Sequence, residues 1–360
     1  MRVLIAGGSS GGHIFPALAL IDSLNAYSNE ILLVLPQKSK ENKIPVDLVK
    51  IEYIHTTNLT LSLSKKNILG AYFFLLAIFE SLRIIIRFKP DVAVGFGSLN
   101  TVPLIFWAWL FRIKTIIHEQ NVIPGRANRL LAKLADKIAV SFSQTANYLN
   151  ISAGRITLVG NPVRKELVRL NKESALDFFG FKKARFNILI TGGSQGSHKL
   201  NTVFFESISA FKKKDDLQII HISGIQDFAL LQNKYSSLGL SCKIFDFLPA
   251  MQYAYSLADL VICRAGATTI AELQQFGVPA ILVPYPFAYA HQLANARVLE
   301  SIKAAIIINH EELSAERLSD ELLEFLENPS KLESMRQAYV KIKILDAASL
   351  LAKEVLNFRG

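Results

Sequence analysis

Twice in this chain a short apolar run ends in a double glycine and gives way to a helical pattern. Arg2–Ala6 leads into Gly7-Gly-Ser-Ser-Gly-Gly-His13, and Phe186–Thr191 leads into Gly192-Gly-Ser-Gln-Gly-Ser197. An unalternated apolar run of this length reads as a parallel strand buried on both faces. Parallel neighbours need a crossover connection, usually a helix. The alternation then continues. Strands are predicted at 31–35, 49–54, 91–96, 114–117, 137–140 and from 157, and, after the restart, at 217–223, 243–247, 260–263, 280–283 and 304–308. The first helix is expected from Pro16 to about Leu24, the helix after the second glycine turn from Lys199. This is an α/β chain of two doubly wound, Rossmann-like domains, expected to face each other across a cleft. Its 360 residues, 51% of them apolar, suffice for two cores. The expected division is 1–162 and 163–345, with a linker near Gly160–Arg164. An amphipathic helix at about 346–360 is expected to pack back on the first domain.

Asp259–Gly277 is the segment best suited to chemistry. Leu260–Cys263 reads as a buried strand, Arg264-Ala-Gly266 breaks it, and a helix follows with Ile270, Leu273 and Phe276 on one face. Gly277 stops that helix. A helix start at the carboxyl end of a strand points free N–H groups and a positive dipole end at a ligand. A diphosphate could be held there without a metal. Glu272, about one and a half turns in, can accept hydrogen bonds from vicinal hydroxyls such as those of a ribose. Its ordinary alternative is a surface carboxylate, and an exposed helix position is expected for it. Neither glycine turn has the G-x-G-x-x-G spacing, so a dehydrogenase is disfavoured.

Net charge is +10, which calls for an anionic partner. The basic residues are scattered apart from Lys212-Lys-Lys214 and pairs such as Lys65-Lys66, and no nucleic-acid motif is present. A phosphorylated substrate and a membrane surface are favoured. Cys242 and Cys263, the only cysteines, both fall in predicted strands and read as reduced core residues. No zinc spacing occurs, and Met1 runs straight into a strand, so no signal peptide is expected. Asn67–Phe88 is the most apolar stretch, yet only Asn67–Phe79 is uncharged. That is shorter than the roughly 18–20 residues needed to span a bilayer. It suits a buried helix or one docked in a membrane interface. Flanking Lys65, Lys66, Arg83, Arg87 and Lys89 favour the interface, as do Trp107 and Trp109 beside Arg112.

Taken together, the motifs carry a resemblance that none carries alone. In order they are Gly7-Gly-Ser-Ser-Gly-Gly-His-Ile-Phe-Pro16, Gly95-Phe-Gly97, His118-Glu-Gln-Asn121, Gly160-Asn-Pro-Val-Arg164, Gly192-Gly-Ser-Gln-Gly196, Cys263-Arg-Ala-Gly-Ala267 through Glu272, and His291-Gln-Leu-Ala-Asn-Ala296. The set spans nearly the whole chain and resembles the MurG family of bacterial N-acetylglucosaminyltransferases. The resemblance implies a glycosyltransferase B type fold and an inverting enzyme of peptidoglycan synthesis. That enzyme moves GlcNAc from UDP-GlcNAc to the MurNAc 4-hydroxyl of lipid I, undecaprenyl-diphosphate-MurNAc-pentapeptide, giving lipid II. It implies a peripheral place on the cytoplasmic face of the inner membrane. Two departures stand out. Gly97 is followed by Ser98-Leu-Asn where another glycine and an aromatic residue are expected, and Phe287-Ala-Tyr-Ala-His291 lacks the charged residues often found there.

By motif match the donor-binding residues are these. Leu248 contacts uracil through its backbone, and Glu272 holds the ribose. Ala267, Thr268 and Thr269, continuing through Ile270 and Ala271, meet the diphosphate and sugar. Ser194 contacts phosphate, Asn121 and Arg164 line the cleft, and Gln292 bonds GlcNAc hydroxyls, with His291 less favoured. Ser10, Gly11 and Gly12 face the acceptor diphosphate and the reacting centre, and are counted with the donor-binding groups. His13 is the favoured general base, since an imidazole starts near the right pKa. Glu119 is the competitor. No Asp-x-Asp pair exists to hold a metal-bound nucleotide, so helix dipoles are expected to stabilise departing UDP. No metal cofactor is required by the sequence, and Mg²⁺ has no visible site. The alternatives are a UDP-GlcNAc 2-epimerase of the same architecture and a non-catalytic lipid-binding scaffold. An epimerase has no use for the apolar stretch at 67–88, and a scaffold has none for the donor residues.

Overall fold

The computed structural model describes residues 1–27, 29–41, 49–55, 65–209, 211, 213–286, 290–342 and 344–358, without the side chains of 40, 41 and 65–69. Lys212, the segment 287–289 and the side chains of Lys65, Lys66 and Asn67 therefore lie outside the described residues. The chain divides into two compact units, residues 1–165 with 345–360, and residues 166–344.

In chain order, unit 1 contains β1 (Arg2–Ala6), α1 (Gly11–Asn25), β2 (Glu30–Pro36), β3 (Lys50–Ile54), α2 (Lys65–Phe88), β4 (Val92–Gly95) and α3 (Val102–Leu110). It continues with β5 (Lys114–Glu119), α4 (Arg126–Leu131), β6 (Lys137–Val140) and β7 (Ile156–Leu158). Its seven-stranded sheet runs β3-β2-β1-β4-β5-β6-β7, every pair parallel. Side chains alternate between two cores, as the period of two in a strand demands. Val3 and Ile5 face α1, and Leu4 and Ala6 face α2 and α3.

Unit 2 contains α5 (Lys172–Phe179), β8 (Phe186–Thr191), α6 (His198–Ser209), β9 (Leu217–Ile222), α7 (Ile225–Ser236), β10 (Ser241–Phe245) and α8 (Met251–Leu257). Then come β11 (Leu260–Cys263), α9 (Ala267–Phe276), β12 (Ala280–Leu282), α10 (His291–Ser301), β13 (Ala305–Ile307), α11 (Ala315–Glu327) and α12 (Pro329–Ala338). Its six strands run β10-β9-β8-β11-β12-β13, again all parallel. The chain returns to unit 1 as α13 (Ala347–Leu356), which buries Leu351, Ala352 and Val355 against α1. Each such large apolar side chain contributes about 1.5–3 kcal/mol. A Lys137–Glu354 ion pair fixes the far end of α13.

In each sheet the strand order reverses at one place, between β1 and β4 and between β8 and β11. Open parallel sheets bind ligands beyond the carboxyl ends of the strands at such a switch point. All four strands there run into the turns whose sequences stand out: Gly7–Ser10, Gly95–Gly97, Gly192–Ser197 and Arg264–Gly266.

Two local expectations are corrected. Helix α1 starts at Gly11, five residues before Pro16, because the Ser10 carbonyl accepts from both His13 N (2.9 Å) and Ile14 N (3.0 Å). Pro16 lies inside the helix, where it removes the bond its missing N–H would have made and crowds the carbonyl of the preceding turn. His13 thus sits in a helical first turn, not in a loop. Of the two tryptophans, only Trp109 is presented outward. Trp107 is partly buried, and its Nε1 donates to the Ile78 carbonyl at 2.9 Å, tying α3 to α2.

Candidate active site

In unit 1 the site is built at the ends of β1, β4 and β5. His13 projects from the first turn of α1, and its Nδ1 lies 2.7 Å from the carbonyl oxygen of Phe96, just after β4. A carbonyl only accepts, so Nδ1 carries a proton, and in the neutral imidazole the lone pair is on Nε2. Gly97 has φ +82°, and a Cβ there would come within 3.2 Å of Asn128 Nδ2 and 3.5 Å of His13 Cε1. Only glycine lets that turn run so close to both. Ser10 caps α1 in extended conformation, but its hydroxyl makes no capping bond. The Arg164 guanidinium lies over the Phe15 ring, 4.6 Å from its centroid, and Arg164 Nε has no hydrogen-bond partner among the described residues.

His118 and Glu119 are inside β5, not in the loop after it. His118 is fully buried, and its Nε2 donates to Gly160 O at 3.0 Å. Burial, with a smaller contribution from nearby His13, pushes this imidazole down to about 4 against the raising effect of the Gly160 bond, so it is neutral at physiological pH. Glu119 is 2% exposed. Its Oε1 accepts from Asn121 N (2.9 Å) and Asn121 Nδ2 (3.1 Å), and its Oε2 from Gly125 N (3.0 Å) and Asn128 Nδ2 (2.8 Å). Four donors, from the loop that follows β5 and from α4, hold this carboxylate. That arrangement suits an anchor, and it argues against Glu119 as a base.

Unit 2 assembles the second cluster at the ends of β8, β10, β11 and β12. Gly266 caps α9 in extended conformation, and Gly277 closes it in the left-handed region at φ +56°. The N–H groups of Ala267, Thr268 and Thr269 form the first turn, where no helical acceptor precedes them. Thr268 Oγ1 is buried without a partner among the described residues. Ile270 is different: its side chain is fully buried and its N–H donates to Gly266 O at 2.9 Å. It has neither side chain nor amide to offer a ligand, because the helical ladder starts at that residue. Ala271 is also buried, Ser194 is exposed on the second glycine turn, and Leu248 is buried just beyond β10.

Glu272 departs most from expectation. It is 7% exposed, not a surface position, and accepts a 2.8 Å bond from the hydroxyl of Tyr255 on α8. Tyr255 in turn stacks on Phe276, centroids 5.1 Å apart. Gln292 Oε1 accepts from Ala265 N (3.2 Å) and Tyr285 N (2.9 Å), so its amide oxygen joins the turns after β11 and β12. It can address a sugar only as an N–H donor.

Sequence reasoning missed Arg264. Its buried guanidinium donates to Ser197 Oγ (2.7 Å from Nη2) and to the carbonyls of Val283 (3.0 Å) and Pro284 (3.3 Å). One side chain thereby pins the second glycine turn to the loop after β12. The signal was there: an arginine between a buried strand and a glycine cannot reach water and must find acceptors. Tyr255 gave none, because its contact to Glu272 depends on how α8 docks. Among the described residues no group of three or more His, Cys, Asp or Glu could hold a metal ion.

Residues 3–140 match the glycosyltransferase family 28 N-terminal domain, and residues 187–351 match the family 28 C-terminal domain. A relative from Thermodesulfovibrio yellowstonii, named UDP-N-acetylglucosamine–N-acetylmuramyl-(pentapeptide) pyrophosphoryl-undecaprenol N-acetylglucosamine transferase, is 38% identical over 98% of this chain and 99% of its own. One of the same name from Halothermothrix orenii is 36% identical over 94% of each. The solved structure of Acinetobacter baumannii MurG has a TM-score of 0.75 at 28% identity, covering 99% of both chains. A putative UDP-N-acetylglucosamine 2-epimerase from Listeria monocytogenes reaches a TM-score of 0.74 at only 15% identity, covering 99% of this chain and 96% of its own, which shows the shared fold alone. With both domain matches, relatives of this identity along nearly the whole chain and the same two-sheet architecture, the chain belongs to glycosyltransferase family 28 and, within it, to the MurG family of N-acetylglucosamine transferases.

Proposed function

We propose that this enzyme moves GlcNAc from UDP-GlcNAc to the MurNAc 4-hydroxyl of lipid I, with inversion, to give lipid II. The near full-length match to transferases of that name supports the choice of donor and acceptor. The observation that carries the chemistry is the tautomer of His13. Its Nδ1–H is held by Phe96 O, so in the neutral imidazole Nε2 keeps the lone pair a general base needs. As the 4-hydroxyl oxygen attacks the anomeric carbon, Nε2 takes its proton and the bond to the UDP oxygen breaks. Negative charge then gathers on the leaving diphosphate. The first-turn N–H groups of α9, from Ala267 to Thr269, with Ser194, stabilise it. Glu272 receives the ribose hydroxyls and Leu248 the uracil, while Gln292 donates to a GlcNAc hydroxyl. Asn121 and Arg164, named with the donor residues, belong to unit 1, as do Ser10, Gly11 and Gly12. Unit 1 is thus the acceptor and membrane domain, and unit 2 the donor domain. Incubation of radiolabelled UDP-GlcNAc with a lipid I analogue tests the reading. A labelled disaccharide-lipid is the expected product, and free GlcNAc or an epimerised nucleotide sugar would overturn it.

The buried position of Glu272 changes what its removal does. Glu272→Ala should weaken UDP binding by roughly 1.5–3 kcal/mol, the worth of a hydrogen bond to a charged group. It should also lower the melting temperature of unit 2, since Tyr255 loses its acceptor. Calorimetric titration with UDP and thermal melts check both. Unchanged UDP affinity would remove Glu272 from the ribose site.

The acceptor is a lipid, and unit 1 presents a surface suited to reaching it. Tyr72, Leu75 and Phe79 on α2, with Phe79 66% exposed, and Trp109, Leu110 and Phe111 at the end of α3 turn large apolar groups outward. Arg83 and Arg112 are exposed nearby in sequence. No helix among the described residues is long and apolar enough to cross a membrane. We place the enzyme peripherally on the cytoplasmic face of the inner membrane, docked by this surface. In liposome flotation the protein should float with anionic vesicles, less so at high salt. Phe79→Asp should abolish flotation. Equal flotation on neutral vesicles would show that charge plays no part.

A further inference from the structure

We propose that Gln120 is a positioning residue for the reaction: it fixes the Phe96 carbonyl that sets the tautomer and direction of His13. The proposal rests on the reading of His13 as the base. Phe96 begins an unusual turn. Gly97 and Ser98 both have positive φ, +82° and +76°, and for serine that region is strained. Strained backbone of this kind persists only where its surroundings fix it. Phe96 N is bonded to Ala6 O at 2.9 Å, which secures one side of the residue. Its carbonyl is secured by Gln120, whose Nε2 donates to Phe96 O at 3.0 Å, opposite His13 Nδ1 at 2.7 Å. Both lone pairs of that oxygen are then filled.

Gln120 is oriented by His118. The His118 Nε2–H is given to Gly160 O, so Nδ1 bears the lone pair, and Gln120 Nε2 approaches it at 3.2 Å. An amide turned the other way would set its oxygen against both the Nδ1 lone pair and the Phe96 carbonyl. The chain of hydrogen bonds runs from the Gly160 carbonyl through neutral His118 and Gln120 to the Phe96 carbonyl, and ends at His13. Gln120 is 2% exposed, and its Oε1 has no partner among the described residues. A side chain serving only to fill space would be better as Leu or Met, which strand no buried oxygen. Gln120 is suited instead to placing one NH₂ group between two acceptors, an N–H for each.

The test uses the full-length protein with ¹⁵N-labelled histidine at about pH 8, where free imidazole is neutral. The His13 signals are assigned by their loss in His13→Asn. Wild type should show a single Nδ1–H tautomer. Gln120→Met, which keeps the volume and removes both donors, should show a mixture of tautomers. Its kcat should fall roughly tenfold, with KM for UDP-GlcNAc unchanged, as when a supporting partner of a catalytic group is lost. Gln120→Asn, which withdraws the amide by one methylene, should do the same if the Met variant does not fold. A pure Nδ1–H tautomer with wild-type kcat in a folded variant overturns the proposal. A mixed tautomer with wild-type kcat, alongside an active His13→Asn enzyme, overturns the reading of His13 as base instead.

Discussion

His13→Ala is expected to lower kcat by about 10²–10⁴, the usual cost of losing a general base. Binding of UDP should be little changed, because the residues given to its uracil, ribose and diphosphate (Leu248, Glu272, Ser194 and Ala267 to Thr269) lie in unit 2. The fold should be nearly unaffected as well. His13 is half-buried, its hydrogen bond is to Phe96 O, and Gln120 still occupies that carbonyl when the imidazole is gone. Losing one such bond costs about 1 kcal/mol. The pH profile adds a second criterion. If Nε2 takes the proton of the acceptor hydroxyl, wild-type kcat falls on the acid side as the imidazole protonates, and that limb disappears with the histidine. A His13→Ala enzyme with near-normal kcat and the same acid limb would take His13 out of the role.

Most of the fold was legible because its strands are buried on both faces. Val3–Ala6, Ile188–Ile190 and Leu260–Cys263 are continuous apolar runs that nothing but a parallel sheet of this kind would demand. The glycine turns were legible for the same kind of reason: they mark where the backbone must come close to something. What failed were inferences about the neighbours of single side chains distant in sequence. Glu272 looked like a surface residue because its own helix shows an apolar face through Ile270, Leu273 and Phe276. Its burial comes from Tyr255 on α8, a contact fixed only by helix packing. Trp107 looked interfacial because tryptophan next to arginine often is, yet its indole N–H had an acceptor waiting on α2. The start of α1 was misjudged because Pro16 was given the first helical position, where proline is most at home. Ser10 had already offered its carbonyl to two amides.

Glu119→Ala should fail in a different way from His13→Ala, by unfolding the loop that shapes the site. The two oxygens of Glu119 take four N–H donors from Asn121, Gly125 and Asn128. All approach a carboxylate that is 2% exposed. Hydrogen bonds to a charged group contribute about 1.5–3 kcal/mol each. Alanine removes all of them and leaves two backbone amides and two asparagine side chains without that acceptor. Their partial rearrangement keeps the loss below the sum, so roughly 3–5 kcal/mol is expected, as when a buried charge loses its partners. In the melting of unit 1 that corresponds to a drop of about 10 °C or more, with the unit 2 transition unchanged. Activity falls too, since Asn128 lies against the Gly97 turn beside His13. Glu119→Gln separates anchoring from proton transfer. It keeps the shape and one acceptor oxygen, but turns an NH₂ group toward N–H donors, so it should be destabilised less than alanine and still lose stability. If Glu119→Ala and Glu119→Gln both melted like wild type and lost only kcat together with the acid limb, Glu119 would be the base and the loop would be held by something else.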